Sequence, residues 1–199
     1  MAEFWEENFN EKQEMWGMKP ANSAIVTKDL FLAKGIKNIL VPGFGYGRNA
    51  QVFQENGMAV TGIEISRRAI ELYHKHFGDA MTVHHGSVTD MPVETGKYDG
   101  IYCFALIHLL NQKERKKLIR DCYNQLKSGG IMVFTAITKE AKTYGKGSPL
   151  GKDRFEIFDG LQLFFYDQES VKAEFDQAGL YEVLEIEEDQ PMYLIKCQK

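Results

Sequence analysis

The strongest constraint on the fold is an alternation along most of the chain, in which short apolar runs are each followed by a stretch with helical spacing. "KNILVPG" reads as a buried strand, "RNAQVFQENG" as a helix closed by Gly57, and "MAVTGIEIS" as a second strand. The pattern repeats: "RRAIELYHKHFG" is helical, "AMTVHHG" strand-like, "YDGIYCFALI" an apolar strand, "QKERKKLIRDCYNQLKSGG" an amphipathic helix with a glycine stop, and "IMVFTAI" another buried strand. Apolar strands alternating with helices point to a mostly parallel sheet covered on both faces. After a further helix, "QESVKAEFDQAGL", the strands "YEVLEIEED" and "MYLIKCQK" are joined only by Gln190 and Pro191. A parallel crossover needs a dozen residues or more, so these two must form an antiparallel hairpin. The expected fold is a doubly wound α/β domain with a seven-stranded, mostly parallel sheet that ends in a C-terminal antiparallel hairpin.

With 199 residues, of which 44% are hydrophobic, the chain is expected to form one domain, residues 1–199, with a full core. Residues 1–35 are expected to form an N-terminal helical cap, because "ANSAIVTKDLFLAKG" has helical spacing and closes on Gly35. Between residues 138 and 161 the regular pattern fails in "KEAKTYGKGSPLGKDRF". Long unpatterned segments inside compact domains are usually binding loops or lids, so a mobile cover over the site is expected there.

A net charge of -4, without a Lys/Arg stripe interleaved with aromatics, argues against a nucleic-acid partner. The cationic residues of "NQKERKKLIRD" read as a solvated helix face. No apolar run approaches the roughly 18 residues of a membrane span, so no membrane partner is expected and a soluble, cytoplasmic protein is. Cys103, Cys122 and Cys197 are odd in number and far apart, which suggests buried thiols rather than a disulfide framework or a zinc knuckle. His84 and His85 point to opposite faces if their segment is a strand, so no metal site is expected.

In open parallel sheets the ligand sits beyond the C-terminal ends of the strands, and "PGFGYG" is the exit loop of the first. Gly43, Gly45 and Gly47 allow a tight turn and a close backbone approach. Glu64, at the tip of the second strand and roughly 20 residues on, is placed to accept from a ribose. In "GSVTDMP" the hydroxyl of Ser87 and the amide of Val88 are placed to meet an adenine edge. Dinucleotide loops run GxGxxG; here Arg48 stands where the last glycine would be, which turns the loop away from a pyrophosphate.

Taken as an ordered set, "ILVPGFGYG", "VTGIEIS", "HHGSVTDMP", "KYDGIYCFALIHLL", "LKSGGIMVFTAI" and the terminal hairpin resemble the class I S-adenosylmethionine-dependent methyltransferases over almost the whole chain. The resemblance implies a Rossmann-like fold and S-adenosyl-L-methionine as cofactor. It implies that Gly43 and Gly45 hold the methionine part and Glu64, followed by Ile65, the ribose. Ser87 and Val88 would hold the adenine. Many members carry an acid two places before the first glycine; here Val41 and Pro42 precede it, and carbonyls near Phe104 and Ala105 are the expected substitute contact. The Pro-Gly start resembles the thiopurine and halide/thiol branch, and "YGRNA" with "FWEENF" and "MWGMKP" resembles the tellurite-resistance type.

Both branches act on small, soft nucleophiles, so a small-molecule acceptor is expected: a thiol, a selenium or tellurium oxyanion, or a halide. Trp16 reads either as a cover over the cofactor, where cation-π attraction is worth about 1 kcal/mol, or as an anchor for the N-terminal segment. His108 reads either as a base or as a packed core residue. Tyr144 is the other candidate catalytic group, while Lys146 and Arg154 read equally as anion contacts or exposed loop charge. An NAD-linked oxidoreductase and a non-catalytic module that binds S-adenosylmethionine are the alternative functions.

Overall fold

The computed structural model describes residues 2–91, 95–158 and 160–199. Pro92, the last residue of the "GSVTDMP" turn, and Asp159, within the 138–161 segment, lie outside the described residues. The strands are β1 (Asn38–Pro42), β2 (Ala59–Glu64), β3 (Thr82–His85), β4 (Tyr98–Cys103), β5 (Leu126–Ile137), β6 (Ser148–Gly151), β7 (Arg154–Phe158), β8 (Leu161–Phe164), β9 (Leu180–Glu187) and β10 (Pro191–Gln198). The helices are α1 (Ala2–Lys12), α2 (Asn22–Ala33), α3 (Gln51–Gln54), α4 (Arg67–Phe77), α5 (Gln112–Gln125) and α6 (Gln168–Phe175).

The main sheet has seven strands in the order β3-β2-β1-β4-β5-β10-β9, and β10 is antiparallel to both its neighbours. The order reverses between β1 and β4, which opens a crevice above their C-terminal ends. This is the doubly wound architecture expected, with the hairpin in place.

Two apolar layers hold the sheet. On one face Phe31 of α2, Phe53 of α3 and Tyr73 of α4 pack with Tyr102 of β4, all fully buried. On the other, Leu118 and Cys122 of α5 and Phe175 of α6 cover Phe134 of β5, and the Phe134 and Phe175 rings meet edge-on at 5.2 Å. Cys103, Cys122 and Cys197 are buried free thiols. Helix starts are fixed locally: the Ser66 hydroxyl accepts from Ala69 N–H, and Asn111 with Glu114 forms a capping box at α5.

Three segments differ from the sequence reading. Residues 138–161 are not without regular structure: β6, β7 and the start of β8 lie there, in a three-stranded antiparallel sheet of order β6-β7-β8. Phe155 and Ile157 alternate with charged residues and pack with Leu163 and Phe165, so the period-2 signal was present but short. The helix expected over "RNAQVFQENG" is a single turn, Gln51–Gln54. "LKSGG" belongs to β5 rather than to the helix end, with Leu126 paired to Tyr98.

Candidate active site

The glycine loop folds back over the tip of β2. Gly43 and Phe44 both donate their N–H to Ile63 O at 3.0 Å. Phe44 is buried against Gly62, where a Cβ would stand 2.4 Å from its ring. Gly45 adopts φ +60, and a Cβ built there would meet nothing within 4 Å, so its backbone faces open space. Gly47 has a different duty. At φ +86, a Cβ on it would come within 3.0 Å of Tyr73, so this glycine closes the loop onto α4.

Glu64 is 5% exposed. One carboxylate oxygen accepts from Gly45 N–H at 2.7 Å and the other from Ser66 N–H at 2.9 Å. Burial raises its pKa, against the opposing pull of the amides of Ser66 and Gly45. A carboxylate has about four acceptor positions, so the amides around Glu64 do not fill them all.

The turn after β3 is tied to the same place, because Gly86 N–H donates to Glu64 O at 2.8 Å. The Ser87 hydroxyl sits 2.8 Å from the Thr89 hydroxyl and accepts from Thr89 N–H. The Val88 side chain belongs to the core, which leaves its backbone for any ligand contact. Between α1 and the tips of β2 and β3 lies a cavity of about 400 Å³ lined by Glu3, Glu6, Ile65, Arg67 and His85.

The N-terminal segment runs along the glycine loop. The Trp16 ring stacks on Tyr46 at 6.4 Å and 11°, and Tyr46 OH donates to Gly17 O at 2.6 Å. Arg48 donates to the carbonyls of Trp16 and Lys19 at 3.2 and 2.9 Å. Trp16, 41% exposed, and Phe104 line a second cavity of about 280 Å³ on the other side of the loop. Beyond β4, Ala105 takes φ +49 and donates its N–H to the Thr135 hydroxyl at 2.8 Å. A left-handed non-glycine residue is costly, and such strain concentrates at functional sites. Neither Ala105's conformation nor Thr135 carries a signature in the sequence. Val41 is a buried core position on the face covered by α2.

The two candidate catalytic side chains are both committed elsewhere. His108 is buried, its Nδ1 accepts from Ile137 N–H at 3.2 Å, and burial pushes its pKa down to about 3. Tyr144 OH donates to Asp153 at 2.8 Å, a bond that raises its pKa. Asp153 is in turn bridged by Lys139, which also reaches Asp167. Arg154 is half-buried and donates to Leu110 O at 2.5 Å, so it holds the small sheet to the exit of β4 rather than standing free. Among the described residues no group of three His, Cys, Asp or Glu side chains could hold a metal ion, and no helix is long and apolar enough to cross a membrane.

Residues 40–134 match the family model of the methyltransferase domain, a segment that contains the glycine loop, Glu64 and the Ser87 turn. The tRNA N(3)-methylcytidine methyltransferase of Drosophila melanogaster is 24% identical over 188 residues, covering 87% of this chain and 55% of the relative. A ubiquinone biosynthesis O-methyltransferase of Vibrio parahaemolyticus is 26% identical over 112 residues, 54% of this chain and 47% of that one. The chain thus spans about half the length of these curated relatives. Among solved structures, the 1,6-didemethyltoxoflavin-N1-methyltransferase of Burkholderia thailandensis superposes with a TM-score of 0.77 at 12% identity, covering 100% of this chain and 86% of that one. The match identifies a methyltransferase domain over residues 40–134, and the solved structure shares the fold of the whole chain. Neither the oxidoreductase nor the non-catalytic alternative is favoured.

Proposed function

We propose that the chain transfers a methyl group from S-adenosylmethionine to a small, soft nucleophile, a thiol, a selenium or tellurium oxyanion, or a halide, as in the tellurite-resistance and thiopurine branches. The observation that carries this reading is that neither candidate base is available. His108 is sealed and held by the Ile137 amide, and the Tyr144 hydroxyl is spent on Asp153. A neutral oxygen acceptor needs a positioned base, whereas a thiolate or an anion does not.

In this reading the residues position rather than transfer protons. Gly45 offers bare backbone, Glu64 accepts from the ribose hydroxyls, and Ile65 with the Ser87 and Val88 turn bounds the adenine. Gly43 lies under the sulfonium end, with Trp16 and Phe104 beyond it. The cavity of about 400 Å³ falls within the size range of small-molecule sites, and the second, about 280 Å³, lies just below it. When bound, the cofactor would supply an electrophilic methyl group, and these residues would hold it in line with the acceptor. The 138–161 segment, tied to the β4 exit by Arg154, would exclude water.

The test is a labelled-methyl screen with thiols, selenite, tellurite and iodide against a catechol and tRNA. Transfer to a soft acceptor is expected; label passing only to tRNA or to the phenolic oxygen would overturn the proposal.

A further inference from the structure

Thr135 holds a strained turn at the mouth of the crevice. Pairing of β4 with β5 ends at Cys103 and Phe134, so the chain leaves the sheet just where Thr135 stands. Thr135 is fully buried, and its place on β5 is fixed by the pairing with Leu194 of β10. In place of a ladder carbonyl, its hydroxyl accepts from the Ala105 N–H at 2.8 Å. Ala105 takes φ +49, a conformation in which Cβ crowds the carbonyl that follows, so a partner must hold it there. The Thr135 hydroxyl is that partner.

The turn decides where the next side chain goes. Leu106 leads into the single helical turn Ile107–Leu109, and its side chain abuts Gly43 so closely that a Cβ on this glycine would stand 3.1 Å from Leu106 Cδ2. Leu106 is half-buried, and it also packs against the cluster of Ile137, Leu163 and Phe165. One side chain thus joins the glycine loop, the β4 exit and the small sheet. The strand order reverses between β1 and β4, so an apolar group that bridges their exits forms a wall of the crevice itself.

We infer that Leu106 touches the transferring methyl group, and that Thr135 is a positioning residue that sets Leu106 through the turn at Ala105. The inference rests on the methyl-transfer reading, which puts the sulfonium end over Gly43, and it adds a contact from outside the glycine loop. An apolar wall at this place restricts the methyl to the line along which an acceptor reaches it.

The test is calorimetry with S-adenosylmethionine and with S-adenosylhomocysteine, which lacks the methyl, on the full chain. The variants are Leu106→Ala, Thr135→Val, Thr135→Ser and the double variant of the first two. Leu106→Ala and Thr135→Val should each lose roughly fourfold in S-adenosylmethionine affinity, the worth of one buried methyl, with S-adenosylhomocysteine affinity unchanged. Thr135→Ser keeps the hydroxyl and should match the unaltered chain. The double variant should lose no more than Leu106→Ala alone, because the threonine acts through the leucine. Leu106 is half-buried, so its variant keeps the test open if Thr135→Val fails to fold. Equal loss for both ligands, unchanged S-adenosylmethionine affinity, or losses that add in the double variant would overturn the inference and leave the turn as a brace. Failure of the unaltered chain to bind either ligand is a separate result, and it would overturn the methyl-transfer reading itself.

Discussion

Replacing Glu174 by alanine should lower the free energy of unfolding by about 3 to 5 kcal/mol, because it leaves a buried guanidinium without its counter-charge. The Arg115 and Glu174 side chains are 3% and 7% exposed. Arg115 reaches the carboxylate through Nε at 3.0 and 3.1 Å and through Nη2 at 2.7 Å, and Tyr166 OH donates to it at 2.7 Å. The guanidinium also stands 3.8 Å from the Phe164 ring and donates to Leu110 O at 3.1 Å. Loss of Glu174 therefore strands a cation and a tyrosine hydroxyl together, inside the contact between α5 and α6. Urea unfolding measures the effect, and a loss under 1 kcal/mol would mean that water or another acid reaches Arg115. Replacing both partners by Met and Leu should recover much of the loss, since apolar pairs of similar volume often match a buried ion pair.

The second large effect is on binding. Glu64→Ala should weaken S-adenosylhomocysteine by about 1.5 to 3 kcal/mol, the range for hydrogen bonds to a charged group. The pH dependence follows from the raised pKa. The ionised carboxylate is the better acceptor, so affinity should fall as pH drops through Glu64's folded pKa, beginning above the 4.5 of an ordinary glutamate. Stability without ligand moves the other way. A carboxyl whose folded pKa is raised favours the folded state at low pH, and that contribution is lost as pH rises through the folded value. Titrations at several pH values on both proteins separate the effects, since the alanine variant should show neither. Unchanged affinity in Glu64→Ala would make this residue a strand-end acid and no more.

The alternation of strands and helices, and with it the doubly wound sheet, was legible in the sequence because most strands are apolar runs and the helices have glycine stops. The terminal hairpin followed from chain length alone. The small β6-β7-β8 sheet was missed because its strands are half-exposed and four or five residues long, too short for a period-2 signal to stand out among Lys and Gly. At the site, spacing led to Gly45 and Glu64, and the structure joins them directly at 2.7 Å. It did not reveal Arg48's partners, which are backbone carbonyls that any sequence offers. Nor could the residue type of His108 show whether it was sealed from solvent. One histidine among apolar neighbours fits both readings, and only the Ile137 amide and the surrounding burial separate them.

The most direct measurement is calorimetric titration of the full chain with S-adenosylhomocysteine and, separately, with NAD. Saturable one-site binding of S-adenosylhomocysteine, with no heat from NAD, is the expected result. Binding of NAD alone would contradict the account.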